Sequence, residues 1–108
     1  MPEDDPTQLL LYRGECLLGR IALDPNRDNF PWSFGLFSAA PEFSTIKPLF
    51  QDELRFVRAR ERTEHARVWN EIEAPGLKLV QVSTQKAWKV GLIHIDGDQA
   101  NWRLKHEA

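Results

Sequence analysis

The sequence predicts an α+β domain in which one antiparallel sheet packs a single face against a central helical segment. Near both ends of the chain, apolar and polar residues alternate as they do in β-strands. Between these regions, apolar residues recur every three or four positions, which is the spacing of one side of an α-helix. A chain of 108 residues is the usual size for one hydrophobic core. We therefore expect a single domain over residues 9–108, preceded by a flexible acidic tail over residues 1–8.

The N-terminal part of the sheet is predicted to be a meander of three strands. Two apolar runs meet at Arg13 and Gly14, where the glycine supplies the positive φ of a tight turn. Residues 24–29 are rich in Asp, Asn and Pro and are expected to form a loop. Residues 31–37 then read as a third strand with alternating faces. One face of that strand carries Trp32, Phe34 and Leu36.

An apolar stripe predicts the central helical segment, and Glu61 and His65 interrupt it. This interruption leaves two alternatives open, which are one long helix or two shorter helices with a break near residues 59–62. Pro48 is expected in the first turn, where its missing N–H has no partner to lose, with Ser44 or Thr45 as the cap. Ala74-Pro75-Gly76 should end the helical segment. The stripe consists of Ile46, Leu49, Phe50, Leu54, Val57, Val68, Trp69 and Ile72.

The C-terminal part of the sheet is predicted to contain one strand from Leu77 and then a hairpin. Asp96-Gly97 lies between two alternating runs, which is the sequence of a type I′ turn. With that turn, Ile93 faces Ala100 across the hairpin and Ile95 faces Asp98. The side of the hairpin that we expect to face the core carries Ile93, Ile95, Ala100, Trp102 and Leu104.

Composition excludes several classes of protein. A net charge of −2 argues against a duplex nucleic-acid binder, which normally has a clear excess of Lys and Arg. Cys16 is the single cysteine, so an internal disulfide and a thiolate metal cluster are ruled out. No signal peptide and no apolar stretch of the ~20 residues that span a bilayer is recognisable. We expect a cytoplasmic protein with no membrane association.

His94, Asp96 and Asp98 form the most suggestive cluster of metal-ligand residue types. Alternate residues of a strand point the same way, so His94 and Asp96 could present a nitrogen and a carboxylate to one ion. A small metal-dependent hydrolase centred on these two residues is one functional hypothesis. It needs further ligands, for which Glu53, His65 and Glu71 are guesses. Both aspartates are also what a hairpin turn requires.

Cys16 and the arginines of the central segment suggest two further hypotheses. Cys16 would be a nucleophile only beside His94 or His65, and its apolar neighbours instead predict a small buried residue. Arg55, Arg58 and Arg62 have the spacing of one helix face, which suggests a nucleic-acid-binding module as a further alternative. Acidic residues interleave with them, so intrahelical ion pairs on a solvated helix explain the same pattern.

Aromatic residues are more numerous than a core of this size needs, and exposed ones usually mark a partner surface. Trp88 follows a polar loop, and Phe30 and Trp32 lie beside residues 24–29. The leading prediction is therefore a non-enzymatic domain that binds a protein, either another chain or a second copy as a homodimer. Trp88, Phe30, Trp32, Arg55, Arg58 and Arg62 are its candidate contact residues. No phosphate loop, nucleophile elbow or zinc motif is present, so we expect no cofactor and assign no catalytic residue.

Six short segments spread over the chain also carry a resemblance. They are Trp32-Ser-Phe-Gly-Leu-Phe, Pro41-Glu-Phe, Lys47-Pro-Leu-Phe, Trp69-Asn-Glu-Ile, Leu92-Ile-His-Ile-Asp-Gly-Asp and the closing Trp102-Arg. In this order they resemble a group of small bacterial proteins of unassigned function. The shared residues belong to turns and core positions, so the resemblance implies a common fold and brings no activity with it.

Overall fold

The computed structural model describes residues 7–105, which fold into a β-barrel with two helices at one end. The strands of the barrel follow the order β1-β2-β3-β6-β5-β4, and every neighbouring pair is antiparallel. Pairing of β4 with β1 closes the barrel. The predicted α+β class is confirmed. The elements are β1 Gln8–Arg13, β2 Cys16–Asn29, β3 Trp32–Ala39, α1 Phe43–Arg58, α2 Arg62–Glu73, β4 Leu77–Gln81, β5 Ala87–Asp96 and β6 Gln99–Leu104.

Closure of the sheet changes where the helices lie, because a barrel has an interior instead of one buried face. Both helices connect β3 to β4, so they lie at the end that also carries the β1–β2 and β5–β6 turns. We call this the covered end. There, Phe43 packs against Phe37 and Phe50, with ring centroids 4.9 and 5.6 Å apart. The opposite end carries the β2–β3 turn and the β4–β5 loop, and we call it the open end because the helices do not lie over it.

Side chains that alternate along the strands fill the interior of the barrel. The inward set from the strands includes Leu11, Ile21, Phe37, Leu79, Ile93 and Trp102, all buried. Helical side chains close the same core at the covered end, among them Phe50, Trp69 and Ile72. Trp32, Phe34 and Leu36 do share a face, and it is the outer one.

The C-terminal hairpin differs from its predicted register. Asp96 pairs with Gln99, so the turn residues are Gly97 and Asp98, and only Gly97 has positive φ. Ile93 therefore faces Trp102, and Ile95 faces Ala100. The pairing partners are shifted by two positions. Because side chains alternate between faces with a period of two, each residue keeps its predicted face. The predicted inward residues Ile93, Ile95, Ala100 and Trp102 are buried. Leu104 remains partly exposed.

Residues 24–29 were predicted to form a loop, and this prediction is wrong. β2 continues to Asn29, with an irregularity in its pairing between Leu23 and Asp28. The Asp and Pro of this segment therefore interrupt the ladder locally without ending the strand, as residues do at a bulge. β1 begins at Gln8, inside the predicted tail, and the carbonyl of Thr7 accepts a hydrogen bond from Leu23. The rest of that tail, residues 1–6, lies outside the described residues.

The central segment forms two helices, as one of the two alternatives predicted. Two hydrogen bonds end α1 in a Schellman motif: the Glu61 amide donates to the Phe56 carbonyl and the Arg60 amide to the Val57 carbonyl. Arg60 occupies the left-handed position of that motif with φ 59°. Within residues 7–105, neither helix has the length and apolar character needed to cross a membrane.

The predicted helix start is wrong. Glu42 is the N-cap residue and makes no side-chain cap bond, while Ser44 and Thr45 lie inside the first turn. Pro48 consequently lies beyond the first turn of α1. Packing explains the early start, because Phe43 is buried against the barrel core and the added turn brings it there.

Candidate functional site

A buried carboxylate joins the helices to the barrel. Glu53 of α1 is 0% exposed, and its side chain meets two imidazoles. Its Oε2 lies 2.7 Å from Nε2 of His65 in α2. Nδ1 of His94 in β5 lies 2.8 Å from the same Oε2 and 3.0 Å from Oε1. Both histidine side chains are mostly buried, at 18% and 15% exposed. We call Glu53, His65 and His94 the carboxylate cluster.

The local structure explains how these three residues meet. Glu53 lies one position before the buried Leu54, on the apolar side of α1. His65 begins the second turn of α2, and its amide donates to the Glu61 carbonyl. His94 lies on the outer face of β5, because its neighbours Ile93 and Ile95 point into the barrel. The cluster therefore links three elements that are distant in sequence.

The cluster is internally satisfied. When the Glu53 carboxylate is ionised it only accepts hydrogen bonds, and Nε2 of His65 and Nδ1 of His94 are then the donating atoms. Within the described part of the chain, every buried side-chain nitrogen or oxygen has a partner. A buried charge without such partners would cost several kcal/mol, on the order of 3 or more. The chemistry visible here is structural: two donors hold one carboxylate.

The residues predicted as metal ligands do not converge on one point. His94 is bound to Glu53, whereas Asp96 accepts a 2.7 Å hydrogen bond from Arg58. Asp98 lies exposed in the hairpin turn, where Gln99 donates to it at 3.4 Å. Glu71 is exposed on α2. Among residues 7–105, no three His, Cys, Asp or Glu side chains are arranged to hold a metal ion.

Trp32 belongs to the surroundings of the carboxylate cluster. Its ring stacks on His94 with centroids 5.4 Å apart and planes 19° from parallel. The Arg103 guanidinium lies 5.8 Å from the Trp32 ring centroid. Trp32 is half-buried, so this predicted contact residue already has partners within the fold.

Cys16 was predicted to be buried, and this prediction is wrong. It is exposed at the start of β2, beside the β1–β2 turn, and both candidate base histidines are bound to Glu53. Its position beside a turn places it at the rim of the barrel, where the alternation of the strand no longer dictates burial.

Two arginines of the helical segment form local ion pairs within their own helix. Arg55 meets Asp52 at 3.0 Å, and Arg67 meets Glu64 at 2.9 Å. The hydrogen bond that Arg67 donates to Glu64 raises the pKa of the guanidinium above its ordinary value. The break at residues 59–61 separates Arg62 from Arg55 and Arg58, so the predicted single arginine face is divided. Arg62 lies beside a concavity of about 380 Å³ that is also lined by Phe56, Val57, Arg60, Glu61 and His65.

Phe30 and Trp88, both predicted from the sequence, come together at the open end. They line one concavity of about 710 Å³. Phe30 is 91% exposed, which is extreme for a phenylalanine. Trp88 is half-buried and packs partly against the core, and the Lys86 ammonium lies 5.5 Å from its ring centroid. Pro31 and Leu104 add apolar surface to the same concavity.

Three lysines border this concavity, and sequence reasoning did not find them. Lys78, Lys89 and Lys105 are separated by 11 and 16 positions along the chain, and strand pairing brings them side by side. A sequence signal existed for two of them, since Lys78 and Lys89 each occupy an outward position next to a buried residue, but the register was needed to connect them.

The fold and these surfaces together define a class: a small antiparallel barrel with a helical pair inserted between β3 and β4. Comparison with protein-family models, curated proteins and solved structures finds no match.

Proposed function

We propose that this chain is a non-enzymatic binding domain that holds a protein partner at the open end of its barrel. The observation that carries the proposal is the concavity lined by Phe30 and Trp88. A phenylalanine that is 91% exposed gains nothing from folding, whereas a partner that covered it would remove its ring from water. Aromatic residues are enriched among the anchors of protein interfaces.

Two observations weigh against the alternatives considered from the sequence. A hydrolase centred on His94 and Asp96 would need both side chains free to face one ion, yet each is bound to a different residue. A nucleic-acid module on the helical arginines would need uncompensated charge, yet Arg55 and Arg58 each pair with an aspartate. A binding site at the open end requires neither a free His94 and Asp96 nor unpaired helical arginines.

The test is selection of peptides from a random library displayed on phage, with the purified chain immobilised. We expect enriched peptides that bind in solution and lose about tenfold or more in affinity with Phe30→Ser, as anchor residues do. Leu36→Ser is the matched control, because Leu36 is also exposed and apolar but lies on the outer face of β3. Its effect should stay below about twofold, since it lies outside the concavity.

Light scattering on the same proteins covers the case in which the partner is a second copy. If the protein is a dimer, and Phe30→Ser dissociates it while Leu36→Ser does not, the partner is a second copy of the chain. A monomer for which the library yields no specific peptide would refute the proposed function.

A further inference from the structure

The surface beside the concavity carries a row of three lysines, which lie on β4, on β5 and directly after β6. Lys78 of β4 pairs with Lys89 of β5, and the Lys105 amide donates to the Lys89 carbonyl at 2.9 Å. Neighbouring strands lie about 4.8 Å apart, so the three backbone positions fall within roughly 10 Å. Buried neighbours, Leu77, Leu79 and Val90, confirm that Lys78 and Lys89 point outward. We call Lys78, Lys89 and Lys105 the lysine row.

The charge of the lysine row is largely uncompensated. Like charges placed opposite each other on adjacent strands destabilise a sheet. Among the described ion pairs, the row has a single carboxylate, Glu73, whose Oε2 lies 3.9 Å from Nζ of Lys105. The Lys78 ammonium lies 5.6 Å from the Tyr12 ring centroid instead. This contrasts with Arg55, Arg58 and Arg67, each of which has its own carboxylate.

The lysine row lies between two concavities and borders both. One is the 710 Å³ concavity of Phe30 and Trp88. The other, of about 580 Å³, lies toward the helices and is lined by Pro75, Leu77 and Val90 among others. A ligand that occupies both concavities would therefore contact the lysine row, since all three lysines line both of them.

We propose that the partner segment is an acidic, extended stretch of polypeptide that lies across the lysine row with an apolar side chain in the Phe30 and Trp88 concavity. This inference rests on the proposed binding function and names the chemistry of the partner. Residues on one face of an extended chain repeat about every 6.8 Å, so two carboxylates span a distance comparable to that of the row.

The size and setting of the row favour an acidic peptide over a nucleic acid. Nucleic-acid binders typically neutralise several phosphates, on the order of 6–10, and depend on a broad positive field. The lysine row offers three charges on a chain whose net charge is −2. Three ammonium groups beside an apolar concavity match a short segment that carries both carboxylates and a hydrophobic anchor.

The experiment extends the peptide selection to a Lys78→Glu/Lys89→Glu double variant. The wild-type chain should enrich peptides with an excess of Asp and Glu, and the charge-reversed variant should not. In solution, fluorescence anisotropy of the enriched peptides should show a loss of about tenfold or more for Lys89→Glu, with affinity falling as salt rises. Lys47→Glu is the control: it makes the same charge change at an exposed position of α1 and should alter affinity by less than about twofold.

Each other outcome has a separate meaning. Peptides that depend on Phe30 but carry no acidic excess, or that ignore Lys89→Glu, would overturn this inference while leaving the proposed function intact. A labelled oligothymidylate that binds more tightly than the acidic peptides would overturn it in favour of single-stranded nucleic acid. Failure to enrich any specific peptide would remove the proposed function and this inference together.

Discussion

The two ends of the barrel treat similar residue types in opposite ways. At the covered end, Phe50 is 1% exposed and the carboxylate of Glu53 is held by two imidazoles. At the open end, Phe30 projects into solvent and Lys89 has no ion pair among the described residues. Apolar surface costs free energy when it is exposed to water, and a charge costs free energy when it is buried without partners. The covered end therefore accounts for stability, whereas the open end retains features that folding does not require.

The largest effect should come from truncating a phenylalanine at each end. Phe50→Ala should lower the free energy of unfolding by about 3–5 kcal/mol, because it removes a buried ring and leaves a cavity. Phe30→Ala should change it by less than about 0.5 kcal/mol, as exposed positions do. Urea denaturation of both variants measures the difference. Similar losses at the two positions would show that Phe30 is buried in the folded protein and would break the comparison.

A smaller effect is expected from the carboxylate cluster. Glu53→Ala should lower the free energy of unfolding by about 3 kcal/mol, because it leaves two mostly buried imidazoles without the carboxylate that they bind. Asp52→Ala is the neighbouring control on α1, and losing its exposed ion pair with Arg55 should cost about 0.5 kcal/mol or less. Thermal and urea unfolding provide the readout. Equal costs for the two substitutions would mean that the cluster contributes no more than a surface pair.

The smallest expected effect is a gain in the free energy of unfolding from a substitution at the junction of the two helices. Arg60 has φ 59°, a conformation that costs a residue with a side chain about 1–2 kcal/mol. Arg60→Gly should stabilise the fold by about 0.5–1 kcal/mol, after allowing for the greater freedom of glycine in the unfolded chain.

Arg62→Gly, in the first turn of α2, makes the same replacement where φ is helical and should destabilise by up to about 1 kcal/mol. Opposite signs for the two variants in urea denaturation are the expected result. A loss of stability with Arg60→Gly would show that the arginine side chain contributes more than its backbone conformation costs.

Local patterns in the sequence were sufficient for the class of the fold. Period-two alternation predicted the strands, and Glu61 and His65 on an apolar stripe predicted a break in the helical segment, where α1 ends at Arg58 and α2 begins at Arg62. Predictions failed where tertiary packing outweighed local preference. β2 continues through residues 24–29 because β3 pairs with it, and α1 starts at Phe43 because that ring belongs to the core.

The residues of the candidate sites could be predicted only in part from the sequence. Phe30 and Trp88 were predicted as contact residues because they lie beside polar segments and exposed aromatic residues usually mark a partner surface, and the two do share a concavity. Glu53 and His65 were named with His94 as guesses for metal ligands, and the three do meet, as a hydrogen-bonded cluster. The lysine row was missed, because residues 78, 89 and 105 become neighbours only through strand register.

The sequence by itself determined that strands flank a central helical segment and which face of the C-terminal hairpin points inward, because each follows from the spacing of apolar residues along a short stretch. It left open whether the central segment is one helix or two. Only the tertiary structure decided that the sheet closes, since closure depends on β1 pairing with β4, more than 60 residues away. The packing of the two helices against β5 buried Glu53, and the register of β4, β5 and the residue after β6 aligned the three lysines. These outcomes depend on which remote segments of the chain come together. The spacing of residues along the chain does not reveal that.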